Sequence, residues 1–270
     1  MASVFSSGNA AAITVDASGI GLAIAKRSVS HGIKVIIVDR DAELLISVAK
    51  EIGNVLSTLK STWASSKTGK SQGQSQHHLW RFINHWLLIY GDSWHEPEAF
   101  RTTFDTNLYG VINGLNSLIP LVGDRQQSSS AIVITGSKQG ITNPPENPAY
   151  NASKAAVKSV AEHLSFDLSK TATKVHLLVP GWTFTSMVGA GTGREKPGGA
   201  WTPEQIAENL EQKMMVGLFY IICPDNEVTE DLDRKRRLWS VGDIIEGRPP
   251  LSRWHEDYRD KAQACTGEQQ

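Results

Sequence analysis

Tyr150 and Lys154 stand four residues apart in the run Tyr150-Asn151-Ala152-Ser153-Lys154, a spacing that puts both on one face of a helix. An ammonium beside a phenol favours the phenolate by direct Coulomb attraction. It brings the tyrosine toward the working range of a general acid/base. Thirteen residues before the tyrosine, Ser137 follows the apolar run Ala131–Thr135, where its hydroxyl could hold a substrate oxygen. A tyrosine and a lysine at this spacing also arise by chance on exposed helices, so the pair needs context. A second constellation, Thr14-Val15-Asp16-Ala17-Ser18-Gly19-Ile20-Gly21, reads as a strand, a glycine-containing turn and a helix start. Such a turn presents unpaired N–H groups and the positive end of the helix dipole to a phosphate. Gly19 and Gly21 would admit the pyrophosphate and let the helix pack on the sheet. Asp39 lies eighteen residues beyond Gly21, close to the spacing for a carboxylate on an adenosine ribose. An ordinary strand–turn–helix connection also uses glycines; the strand context and Asp39 favour the dinucleotide reading.

These residues need elements to position them. Ala11–Val15, Ile33–Val38, Ala131–Thr135, Lys174–Val179 and Leu218–Ile222 read as short strands. Most are apolar at nearly every position, as for strands covered on both faces of a parallel sheet. Helical patterns fall at 20–31, 41–51, 97–119, 148–169 and 202–216. Gly32 sits where the first helix needs a left-handed residue at its end. Thr202-Pro203-Glu204-Gln205 offers a capping box with proline at the first helical position, and Ile206, Leu210 and Met214 form one buried stripe. Strands alternating with helices predict an α/β fold, one Rossmann-type doubly wound parallel sheet with helices on both faces. The whole chain, 1–270, reads as one such domain.

Composition narrows the classes. The chain has 270 residues, 28 acidic against 27 basic, and 40% hydrophobic: a soluble globular protein with no general attraction to nucleic acid or anionic lipid. Cys223 and Cys265 are its two cysteines, which suits a reducing compartment. With no basic n-region before an apolar stretch and no run near the length of a membrane helix, a cytoplasmic protein is expected. His77, His78 and His85 match no common zinc spacing, and Lys67, Lys70 and Arg81 read as part of a solvated loop.

In combination these motifs resemble the short-chain dehydrogenase/reductase family. The resemblance rests on Ala131–Ser137, on Tyr150 and Lys154, on Val179-Pro180-Gly181-Trp182-Thr183-Phe184-Thr185, and on Phe104–Gly110 around Asn107. It covers about 10–50 and 92–225. It implies an NAD(P)-dependent oxidoreductase interconverting a secondary alcohol and a ketone. Tyr150 would be the proton donor or acceptor. Lys154 would lower the tyrosine pKa and hold the nicotinamide ribose, and Ser137 would hydrogen-bond the reacting oxygen. Asn107 would anchor a water leading from Lys154 to solvent. Thr14, Ser18, Gly19, Ile20 and Gly21 would line the phosphates, and Pro180, Gly181, Thr183 and Thr185 the nicotinamide side. Asp39 favours NAD(H), because a carboxylate repels a 2′-phosphate; Arg40 beside it leaves NADP(H) open. Association as a homodimer or homotetramer is expected, through the helices carrying Asn107 and Tyr150. A substrate lid is expected around 186–200, with Trp182, Met187 and Trp201 as apolar walls or core.

Three features depart from the family. Val15 stands where the family has glycine, and a β-branched residue disfavours positive φ and close approach. The family's Asn-Asn-Ala-Gly after the fourth strand is absent, with Ile83-Asn84-His85-Trp86 in that region. The carboxylate expected after the third strand is missing from Lys60-Ser61-Thr62-Trp63. The last two fall in residues 52–91, forty residues without Asp or Glu, where about four would be expected. A shifted reading frame or misplaced splice site would produce such a break. So would a degenerate member that keeps the scaffold as a non-catalytic binding protein, or one retained for specialised metabolism. Strands are expected at Val55–Leu59 and Trp86–Tyr90. Asp231–Arg237 reads as an exposed charged helix face, and the tail beyond Tyr258 as frayed.

Overall fold

The computed structural model describes residues 4–14, 19–39, 41–53, 55–60, 79–83, 93–121 and 130–267. Its centre is a seven-stranded sheet in the order β3-β2-β1-β4-β5-β6-β7, with every pairing parallel. The strands are β1 (Ala10–Thr14), β2 (Lys34–Asp39), β3 (Val55–Lys60), β4 (Leu79–Ile83), β5 (Ser130–Thr135), β6 (Thr173–Val179) and β7 (Tyr220–Ile222). Parallel neighbours require crossovers, and α1 (Gly19–Ser30) and α2 (Ala42–Ile52) supply the first two. The chain then returns to the other side of β1 as β4. The direction of winding reverses there, and doubly wound folds bind ligands beyond the carboxyl ends of the strands at such a reversal.

The apolar strands are two-sided, as their sequences predict. In β5, Ala131 and Val133 join one core cluster while Ile132 and Ile134 join the other. The first cluster holds α1, α2 and α7 (Pro203–Met215) through Ile24, Leu45 and Leu210; the second holds α4 (Gly110–Leu118) and α6 (Pro148–Asp167) through Leu115 and Val157. Burial of each such side chain contributes about 1.5–3 kcal/mol. The helix ends follow local chemistry. Thr202 caps α7 with the reciprocal Gln205 contact expected of a capping box, and Ile206, Leu210 and Met214 are buried beneath it. Gly32 takes φ +72° just past α1, where an L side chain would be strained.

Several expectations are corrected. The strand expected at Trp86–Tyr90 lies outside the described residues, and the central strand between β1 and β5 is Leu79–Ile83. Arg81 interrupts the apolar pattern of that segment, which hid a central strand from a reading by hydrophobic run. The sheet therefore takes both β3 and β4 from within the acid-free stretch. The helix expected over 97–119 is divided into α3 (Pro97–Phe104), a π-helical turn at Asp105–Tyr109, and α4. The C-terminal region is ordered into α8 (Glu230–Glu246) and α9 (Glu256–Thr266), with Ala262 and Thr266 buried. Trp239 anchors it: its Nε1 donates to Ser252 Oγ at 2.8 Å, and the Arg248 guanidinium lies 4.0 Å over its ring. Beyond Tyr258 the chain is thus helical and packed as far as Thr266, and the segment Asp231–Arg237 buries Asp233. Among the described residues no helix is long and apolar enough to cross a membrane.

Candidate active site

The candidate residues gather at the carboxyl edge of the sheet because each follows a strand or heads a helix that leans over it. Thr14 ends β1 and Asp39 ends β2, both buried. Asp39 Oδ1 accepts the backbone N–H of Asp41 at 2.9 Å, which orients the carboxyl at the strand end. Gly19 opens α1 with φ +58°, and Ile20 and Gly21 are buried in its first turn. A Cβ built on Gly19 would sit 3.2 Å from Thr185 Cγ2, so the glycine turn and the loop after β6 approach closely. Thr185 is 2% exposed, and its hydroxyl has no hydrogen-bond partner among the described residues. Ser18 and Arg40, with Val15 and Asp16, lie outside the described residues. So do Asn84, Trp63, His77, His78 and His85.

Tyr150 and Lys154 lie on α6, started by Pro148 at its first turn. Lys154 is 1% exposed and Nζ donates to the Thr135 carbonyl, at the end of β5, at 3.2 Å. The same ammonium lies 5.9 Å from the centre of the Tyr150 ring. Burial pulls the Lys154 pKa from 10.5 down to about 7, because desolvation penalises the charged form. Ser153 ties the neighbourhood together: it donates to the Tyr150 carbonyl at 2.7 Å and accepts from Asn107 Nδ2 at 3.0 Å. Asn107 is fully buried within the π-helical turn; such turns are rare and recur at functional sites. Ser137 follows β5, and its hydroxyl accepts the Gln139 N–H at 3.2 Å. The short helix α5 (Gln139–Thr142) lies against α6 so closely that a Cβ on Gly140 would come 2.6 Å from the carbonyl carbon of Lys154.

Pro180 and Gly181 follow β6, and Thr183 donates from its hydroxyl to the Gly181 carbonyl at 3.1 Å. Thr183 also bridges to Trp201. Trp201 packs on the core beneath α7, while Trp182 is 42% exposed; the side chain of Met187 lies outside the described set. Between them Gly189, Gly191 and Gly193 all take positive φ. Sequence reading missed one cluster: Lys138 Nζ lies 2.5 Å from Asp233 Oδ2 and 3.5 Å from Asp225 Oδ2. Lys138 is separated from both aspartates by more than eighty residues, so no spacing announces the cluster. Burial raises the Asp233 pKa, with Lys138 opposing it. Among the described residues no group of His, Cys, Asp and Glu is arranged to hold a metal.

A seven-stranded parallel sheet with its winding reversal at β1 and β4 defines a Rossmann-type protein. A sequence profile of the short chain dehydrogenase family matches residues 9–84 and 88–195, and the chain belongs to that family. The match continues through most of the acid-free stretch, further than the motifs alone indicate. An uncharacterized oxidoreductase of Staphylococcus saprophyticus is 30% identical over 193 residues, covering 66% of this chain and 80% of the relative. A 3-dehydrosphinganine reductase of Arabidopsis thaliana is 25% identical over 232 residues, covering 78% and 68%. Among solved structures, a short-chain dehydrogenase/reductase of Burkholderia phymatum in complex with NAD shares the fold, with a TM-score of 0.74, 23% identity and coverage of 90% and 96%. A 3-ketoacyl-(acyl-carrier-protein) reductase of Brucella melitensis complexed with NADH has a TM-score of 0.68, 24% identity and coverage of 82% and 98%.

Proposed function

We propose that the chain is an NAD(P)-dependent oxidoreductase interconverting a secondary alcohol and a ketone on a small or medium organic substrate. The observation that carries this is Lys154, buried on the same helix face as Tyr150 and brought by desolvation to a pKa of about 7. The residues fit a dinucleotide: Gly19 opens α1 at φ +58° and meets the loop after β6 at Thr185, whose hydroxyl is buried without a partner among the described residues, and Asp39 ends β2. The nicotinamide cofactor supplies the hydride transfer. Relatives of this fold crystallised with NAD and NADH, together with Asp39, support NAD(H) over NADP(H).

In this reading Tyr150 transfers the proton at its phenolic oxygen, as donor to a ketone and acceptor from an alcohol. Ser137 donates to the reacting oxygen and stabilises the charge that develops on it. Lys154, titrating near neutrality, attracts the phenolate and passes the proton on, and Asn107 holds the solvent end of that route. Thr183 and Thr185, after Pro180 and Gly181, flank the nicotinamide side, and the glycines at 189, 191 and 193 hinge a lid over the substrate. Self-association would use α4 and α6; the exposed aromatics Tyr109 and Phe166, at 52% and 78%, lie on that part of the molecule. Val15 and the absent Asn-Asn-Ala-Gly favour a second reading, a non-catalytic member with impaired cofactor binding.

The test is NADH and NADPH titration of the purified protein by quenching of tryptophan fluorescence, followed by ketone reduction with and without Tyr150→Phe. Saturable NADH binding, with turnover abolished by Tyr150→Phe and the fold unchanged, is expected. Turnover retained in the variant removes Tyr150 from the mechanism. A folded protein that binds neither nucleotide at millimolar concentration selects the second reading.

A further inference from the structure

The Lys138 cluster sits where three loops meet at the carboxyl edge of the sheet. Lys138 directly follows Ser137, and its carbonyl accepts the N–H groups of Ile141 and Thr142, each at 3.0 Å, starting α5. Asp225, just beyond β7, accepts the Trp182 N–H through Oδ2 at 3.1 Å, and the N–H groups of Glu227 and Val228 through Oδ1 at 3.1 and 2.7 Å. Asp233 comes from α8, which packs against α5. Both carboxyls are buried, at 8% and 4% exposure, and both converge on one ammonium.

The cluster presses directly on the loop after β6. A Cβ on Gly181 would lie 2.8 Å from Asp225 Oδ2 and 3.0 Å from Lys138 Nζ. Asn226, next in the chain, donates to the Gly198 carbonyl from its side chain at 2.6 Å and to Gly199 from its backbone at 2.9 Å. The backbone of residues 181–182, the start of α5 and the far end of the glycine-rich loop are therefore tied to one point.

The geometry points to Lys138 as a positioning residue. Clamped between Asp225 and Asp233, it holds the Ser137 turn against the Gly181–Trp182 backbone and so sets the nicotinamide end of the site. This rests on the dinucleotide reading above. A buried ion pair is weak as a source of net stability, but removing one partner leaves charge uncompensated. Without Lys138, two buried carboxyls lose the ammonium between them, and the Asp225 carboxyl that accepts the Trp182 N–H is held by the Glu227 and Val228 N–H groups without its charge partner. At the adenosine end Asp39 is oriented by the Asp41 N–H, outside this cluster.

The experiment separates the two ends. Full-length wild type, Lys138→Met, Lys138→Arg and the double variant Lys138→Met with Asp233→Asn are titrated with NADH and with ADP-ribose, which lacks the nicotinamide, by calorimetry. Circular dichroism monitors folding. The double variant removes one of the two carboxylates that faced Lys138, which restores the net charge of the cluster, and it carries the test if the single variant fails to fold. NADH affinity is expected to fall about ten-fold in the methionine variants, the equivalent of one hydrogen-bonded contact. ADP-ribose affinity should be unchanged, and Lys138→Arg should restore most of the NADH affinity. Equal losses for both ligands in the folded double variant make the role structural and overturn the assignment, as does no loss of NADH affinity. A wild type that binds neither ligand overturns the dinucleotide reading itself, a result distinct from the others.

Discussion

Replacing Lys154 with methionine tests the electrostatics of the site without any substrate. In the folded protein the Lys154 pKa is lowered from 10.5 to about 7 by burial; in the unfolded chain the amine titrates at its ordinary value. Between those two values the unfolded state holds more protons, so stability rises with pH, and below pH 7 the contribution is flat. Each unit carries about 1.4 kcal/mol, so the full window amounts to about 5 kcal/mol and the interval from pH 7 to 9 to about 2 kcal/mol. Lys154 is 1% exposed, so solvent screening does not reduce this much. Methionine keeps the length and apolar stem of the side chain but cannot be charged. Urea unfolding followed by tryptophan fluorescence at pH 6, 7, 8 and 9 reads the difference, in which tyrosines and the two cysteines cancel. The variant should be the more stable at pH 6, with its advantage shrinking by about 2 kcal/mol between pH 7 and 9. A difference that stays level from pH 7 to 9 would show that Lys154 is not desolvated in the native state, and the account of Tyr150 activation would fall with it.

Other perturbations probe separate parts of the site and its frame. Asp39→Ser should weaken NADH binding about ten-fold and leave NADPH binding unchanged or improved; equal NADH affinity in isothermal titration would remove Asp39 from the ribose. Gly140→Ala forces a methyl against the Lys154 backbone, where the Cβ would lie 2.6 Å from the carbonyl carbon. It should cost about 1–3 kcal/mol, and a urea midpoint equal to that of wild type would refute the close approach of α5 and α6. Thr202→Ala deletes the α7 cap seen in its reciprocal contact with Gln205. A loss of about 1 kcal/mol is expected from the same measurement, with NADH affinity untouched.

Much of the scaffold was legible because its signals are local. Strands buried on both faces are continuously apolar, as at Ile132–Ile134, and a capping box is written in four consecutive residues at Thr202–Gln205. The middle of the sheet was less legible. β4 carries Arg81 among apolar residues, and its central position follows from its two pairing partners rather than from its own pattern. The end of the chain was less legible for a related reason: α9 is polar along most of its length, and its packing on α8 and on the Ser252–Trp254 turn orders it.

The amino-acid sequence by itself determined the alternation of strand and helix, the helix face shared by Tyr150 and Lys154, and the glycine turn that opens α1. Each depends on residues within a few positions of one another, where backbone sterics and helical periodicity decide the outcome. The tertiary structure alone decided that Lys154 is dry enough to titrate near pH 7, that Asn107 reaches Ser153, and that Lys138 finds carboxylates 87 and 95 residues away in the chain. Desolvation and ion pairing depend on what surrounds a group in space, and that surrounding is assembled from segments whose separation along the chain carries no periodicity to read.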